Sequence, residues 1–226
     1  MRSTLEERLH FLNSAYFGID DGDDRIYSVV IDNNELNDYL IAHAAKKAYG
    51  DLQRKIPYVI NSNEMNRTEN AHLKQMKIEF KNEVIDYLSA SIPHLNDVSD
   101  LIESVSDIGD HYPDLFKQNC RFTIGLAQKW VNMTLKYLWI IGAIDGERLH
   151  APIDRYILKA SISNDNEYCL GIDYDYQNNN LNNWPSWDDI NEYNNLQDRI
   201  RTEVENRYFG LPIKWENKAW IAMATQ

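Results

Sequence analysis

The chain has 226 residues, of which 43% are hydrophobic and 26% charged, with only 9 Gly, 6 Pro and 2 Cys. These values exclude collagen-like, low-complexity and disulfide-framework chains, and no apolar run approaches the length of a membrane span. The net charge of −12 sets the chain as a whole against anionic membranes and nucleic acid.

The N-terminal stretch 3–17 opens with Ser3, Thr4, Glu6 and Glu7 and then spaces Leu5, Leu9, Leu12 and Tyr16 as a helix does. It has no uninterrupted apolar h-region, so it is not a secretory signal, and a reducing cytoplasmic compartment is expected. Residues 18–24 (GIDDGDD) read as an acidic loop that lacks EF-hand spacing. Residues 25–32 read as a short strand or a helix lead-in.

The spacing predicts a helix over 38–56, stopped by Pro57, and a polar linker over 61–68. A longer helix follows over 69–92 with Leu73, Met76, Phe80, Val84, Tyr87 and Leu88 on one stripe, stopped by Pro93. Asn96 is expected to cap a further helix, and 107–119, with Gly109 and Pro113, to be turn-rich. Residues 122–144 are apolar nearly all round, which marks a central buried helix.

A turn at 145–149 leads into a helix opened by His150 to Asp154, with Pro152 near its first position, running to about 160. Residues 161–185 are rich in Asn and Asp, with an alternating stretch near 168–176 that suits a short strand. Ser186 and Asp189 look like a capping box for a helix to Phe209, stopped by Gly210 and Pro212. The tail 214–223 is expected to dock as a short helix carrying Trp215 and Trp220. The sum is a mainly α fold: one domain of six to eight helices, with at most a small β element.

Charge divides this domain into three parts. Residues 1–116 and 161–226 are acidic, whereas 117–160 hold seven basic residues (Lys117, Arg121, Lys129, Lys136, Arg148, Arg155, Lys159) against three acidic ones. Such an island suits a phosphate or a nucleic-acid backbone. No phosphate-binding, zinc-protease, nucleophile-elbow or CxxC motif occurs, and the six histidines show no metal spacing. No metal or other cofactor is therefore expected. Cys120 and Cys169 suit structural roles.

One segment, 124–159, joins Gly125, a Lys-bearing buried helix, the turn DGERL and the run A-P-I-D-R-Y-I. It resembles the helix-hairpin-helix DNA glycosylase superfamily through Gly125, Lys129, Pro152, Asp154 and Ile157. The resemblance implies a hairpin at Gly125 that holds a DNA phosphate, a catalytic lysine at Lys129 and a catalytic carboxylate at Asp154. Base excision also needs an apolar aromatic pocket for the flipped base. Trp130, Tyr137 and Tyr156 are the candidates, with Arg121, Lys136, Arg155 and Lys159 as backbone contacts.

The same residues admit a structural account. Asp154 suits a helix cap, Lys129 and Lys136 share a helix face and can snorkel, and Trp130 and Tyr137 suit the core. Asn132, an amide in an apolar helix, needs partners and is expected to reach the loop before Asp154. Two other functions fit the composition. One is a non-enzymatic, DNA-mimic-like interaction protein of phage or mobile-element type, binding a basic protein partner. The other is a binder of a small anionic ligand or nucleotide through the basic island.

Overall fold

The computed structural model describes residues 36–59, 66–162, 167–172, 183–207 and 209–224. The helix expected at 3–17, the loop at 18–24 and the strand at 25–32 lie outside these residues, as do residues 173–182 of the Asn-rich stretch 161–185. The described residues form a single helical domain of seven α-helices without a strand. Residues 167–172 are irregular, and the one β feature among the described residues is an isolated antiparallel bridge between Tyr58 and Phe116.

Helix α1 is Asp38–Leu52, capped by Asn37, whose Oδ1 accepts from the Leu40 amide at 3.0 Å. It ends four residues before the expected 56, in a turn over 53–55 ahead of Pro57. Helix α2, Arg67–Ser91, opens with a reciprocal capping box between Asn66 and Glu69. Helix α3, Val98–Asp110, is capped by Asp97 and not by Asn96. It runs on through Gly109, where a turn was expected. A Cβ on Gly109 would lie 2.4 Å from the Phe122 Cβ, so the residue serves close helix packing.

Helix α4, Ile124–Ile140, is the central element, as its all-round apolarity predicts. It packs on α1, α3 and the 3₁₀ turn Trp184–Ser186. At its middle, Trp130 joins Phe80 and Phe122 in edge-to-face contacts, with Phe116 and Tyr112 completing the cluster.

Helix α5 is Arg155–Ile162. It starts later than the sequence suggests: residues 151–154 are not helical, so Pro152 precedes the helix by three residues. Helix α6, Ile190–Asn206, is capped by Asp189 alone, since the Ser186 hydroxyl donates instead to the Asn183 carbonyl. It stops short of Phe209. Helix α7, Pro212–Ala224, begins with Pro212, which was expected to mark a stop; a missing N–H costs nothing at that position. Both α5 and α6 pack against α7.

Candidate active site at the start of α5

Residues 150–154 are the hinge of the site. Proline disfavours the helical region for the residue before it, in keeping with the non-helical Ala151. Pro152 has no amide hydrogen to satisfy. That leaves the amides and carbonyls of Ala151 and Ile153, both fully buried, in need of partners. Two glutamines supply all four bonds. Gln197 of α6 accepts from the Ala151 amide at 3.0 Å and donates to its carbonyl at 2.8 Å. Gln128 of α4 accepts from the Ile153 amide at 3.1 Å and donates to its carbonyl at 2.9 Å. Each carboxamide stands in for the peptide group of a neighbouring strand. Arg201 extends the clamp by donating to the Glu147 and Leu149 carbonyls.

A chain of buried polar groups continues from Gln128. Asn132 donates to Gln128 Oε1 at 3.2 Å and to the Tyr193 hydroxyl at 2.8 Å. It does not itself reach the loop, as the sequence reading expected; Gln128, one turn earlier, does so. The Tyr193 hydroxyl also meets His150 Nδ1 at 2.9 Å. Burial pushes the Tyr193 phenol up and the His150 imidazole down to about 4, the latter assisted by the Arg201 charge.

The clamp delivers Asp154 to the mouth of α5. Its Oδ1 accepts from the amides of Tyr156 and Ile157 at 2.9 and 3.1 Å, as a helix cap does. Its Oδ2 accepts from Lys129 Nζ at 2.9 Å and from the Trp220 indole at 3.1 Å. The Lys129 and Asp154 side chains are only 12% and 14% exposed. Burial alone raises the Asp154 carboxyl, but Lys129 and the two amides outweigh it and hold it below the usual carboxylate value.

A second ion pair lies behind the first. Lys136 Nζ meets Glu216 Oε2 at 2.6 Å, with side chains 9% and 1% exposed. Glu216 Oε1 and Asn132 Oδ1 have no hydrogen-bond partner among the described residues. Burial raises the Glu216 carboxyl, against the pull of Lys136 and Lys129. Lys129 and Lys136 therefore do not snorkel to solvent; they form a neutral quartet with Asp154 and Glu216.

The other sequence-predicted residues are dispersed. Trp130 is fully buried and donates to the Ala45 carbonyl, and Tyr137 is buried with its hydroxyl on Asp51. Tyr156, by contrast, meets Trp220 edge-on at 5.9 Å and carries the Arg155 guanidinium 4.6 Å above its ring. Arg121 lies between Asp110 and Asp188, and Lys159 is exposed. Gly125 sits in the first turn of α4, and its amide donates to the Trp187 carbonyl. Its neighbours are engaged too: the Ile124 amide meets Asp188 and the Leu126 amide meets Thr123. The amides of residues 124–126 thus all have partners within the chain.

Gln128, Gln197, Glu216 and Trp220 were not read from the sequence as site residues. A signal existed for two of them. Gln128, with Asn132 and Lys136, recurs every four residues on an apolar helix, and Gln197 falls on the buried stripe of α6 four residues after Tyr193. No group of three or more His, Cys, Asp or Glu side chains that could hold a metal occurs among the described residues. A surface depression lined by Gly171, Ile172, Asp198, Arg199, Thr202 and Glu203 contains none of the predicted site residues. No helix among the described residues is long and apolar enough to cross a membrane. Comparison with protein-family models, with curated proteins and with solved structures gives no match.

Proposed function

We propose that the protein acts on nucleic acid in the manner of a DNA glycosylase, with Lys129 and Asp154 as its chemical centre. The observation that supports this reading is their meeting at 2.9 Å, although 25 residues separate them in the chain. Their low exposure gives a charge a longer reach than it has in bulk water. A carboxylate of depressed pKa, fixed by amides at a helix start, is ionised at neutral pH and suits an oxocarbenium-like sugar.

In the proposed reaction the C1′–N bond breaks with its electron pair leaving on the base. Water adds to C1′ and gives its proton to Asp154, from which it passes to the departing base. An ion-paired ammonium presents charge rather than a lone pair. The geometry therefore favours Lys129 as a phosphate and carboxylate partner over Lys129 as a nucleophile.

The test is binding and excision on labelled duplexes, with and without an abasic site. Asp154→Asn should bind but not process, and Lys129→Ala should weaken both. Unaltered processing by both variants would end this reading.

A second reading has one specific observation in its favour. Asp100, Glu103, Asp107 and Asp110 are all exposed along α3, which carries no basic residue. Such a ridge suits a basic protein partner, as a DNA mimic would. Pull-down of a basic DNA-binding protein, lost on reversing these four charges, tests it.

A further inference from the structure

Trp220 follows Glu216 by one turn on α7, so the two side chains leave the same face of that helix. Glu216 reaches Lys136 of α4, and Trp220 reaches Asp154 at the start of α5. An ionised carboxylate offers about four positions to hydrogen-bond donors, two on each oxygen. In Asp154 four donors fill them. Oδ1 accepts from the Tyr156 and Ile157 amides, and Oδ2 accepts from Lys129 and from the Trp220 indole. A base that takes a proton from water needs one of these positions for that water. Asp154 is therefore held in a resting form, and one donor has to leave before it can act.

The four donors differ in what their departure costs. The two amides belong to the first turn of α5 and would lose their cap. Withdrawal of Lys129 would separate two charges that are both little exposed. The indole N–H is neutral, and Trp220 is 39% exposed, so this donor can exchange the carboxylate for solvent. Ala219 and Met223, on either side of it in the chain, are buried. The helix can thus stay seated while the ring turns about its own side-chain bonds, a fast motion for an exposed residue.

We infer that Trp220 is a self-inhibitory plug: its indole N–H holds the place on Asp154 Oδ2 that the attacking water takes, and substrate binding turns the ring out. The inference rests on the reading of Asp154 as proton acceptor above, and names the group that moves before that chemistry starts. A ring that builds the site slows the reaction when it is altered, whereas a plug speeds it at low substrate.

The experiment has two arms, with the helical content of each variant checked by circular dichroism. The first uses no nucleic acid. Tryptophan is replaced by fluorotryptophan, and the fluorine signal missing from Trp220→Phe is assigned to Trp220. Its displacement between light and heavy water reads the exposure of the ring. Asp154→Asn, which removes the charge that holds the indole, should move this displacement toward that of free fluorotryptophan. The second arm is steady-state excision. A hydrogen bond to a charged acceptor shifts a two-state population by about tenfold or more. Trp220→Phe keeps a ring and loses the donor, so KM should fall about tenfold with kcat within about twofold of wild type.

A Trp220 signal that does not move in Asp154→Asn means that packing holds the ring, and overturns the plug whatever the activity. A KM that stays level or rises in Trp220→Phe, or a kcat that collapses, also overturns it and leaves the Lys129–Asp154 centre standing. A ring released in Asp154→Asn, with no excision by wild type or Trp220→Phe, removes the glycosylase reading and leaves the plug on the ion pair.

Discussion

Gln128 grips Ile153 at both its amide and its carbonyl, at 3.1 and 2.9 Å, and so fixes the residue before Asp154 relative to the helix that carries Lys129. The pairing of Lys129 with Asp154 follows from this register. Gln128→Ala leaves two buried peptide groups bare, each costing on the order of 1–3 kcal/mol. Gln128→Glu keeps the acceptor but sets an unpaired buried carboxylate against the Ile153 carbonyl, and should cost at least as much. Urea unfolding of the two variants checks the order. A Gln128→Ala protein as stable as wild type would mean that the clamp is not needed.

The Lys136–Glu216 pair makes a sharper prediction. Removing one partner of a buried pair leaves an uncompensated charge, at a cost of about 3–5 kcal/mol. Lys136→Met and Glu216→Met should each be severely destabilised. The double variant should recover most of the loss, because two apolar chains can fill the space between α4 and α7. Equal destabilisation in the singles and the double would show that packing, not charge, dominates there.

His150 predicts a pH dependence. Its folded pKa of about 4 lies below the ordinary value of 6.5, so the unfolded chain takes up a proton more readily. Its contribution to stability is complete above about pH 6.5 and is lost progressively as pH falls toward 4. Melting temperature should therefore drop between pH 7 and pH 5, and His150→Gln should flatten part of that drop. An identical slope in the variant would assign the effect to other groups.

Gly125 is fixed by close approach, whereas Gly50 is not. A Cβ on Gly125 would lie 1.9 Å from the Trp184 carbonyl oxygen, and that oxygen belongs to backbone. Gly125→Ala must push the 3₁₀ turn away from α4, at about 1–3 kcal/mol or more. Gly50→Ala, with nothing near its Cβ, should be neutral or slightly stabilising. Thermal melts of the two variants side by side check this contrast.

Much of the architecture was legible in the chain. The stripe through Leu73, Phe80, Val84 and Leu88 and the all-round apolarity of 122–144 each marked a real helix and its burial, although the second helix covers only Ile124–Ile140. Helix ends were less legible, because several residues near each end can cap. Asp97 and Asn96 are adjacent, and Asp189 competes with Ser186. The three-dimensional path of the chain decides between them. Pro212 and Pro152 show the same ambiguity, since proline suits both a stop and the first turn of a helix.

The site was half legible. Lys129 and Asp154 stood out as a lysine in an apolar helix and an acid at a helix start, and the structure brings them together. The aromatic residues were less readable. Trp130 and Tyr137 could be read either as core or as a base pocket, and α1 and α2 bury them as core, whereas Trp220 reaches Asp154 across 66 residues. Local pattern cannot supply a contact of that length. The roles of Gln128 and Gln197 depend on the non-helical path of 150–154, which a helical reading of that stretch concealed.

The most direct test of the central claim is titration of a labelled duplex containing one abasic site, at low and moderate salt, with wild type, Lys129→Ala and Asp154→Asn. The proposed centre predicts salt-dependent binding that favours the abasic site, weakened by Lys129→Ala and retained by Asp154→Asn. Folded wild-type protein that does not bind at low salt would contradict it, and would direct attention to the acidic ridge of α3.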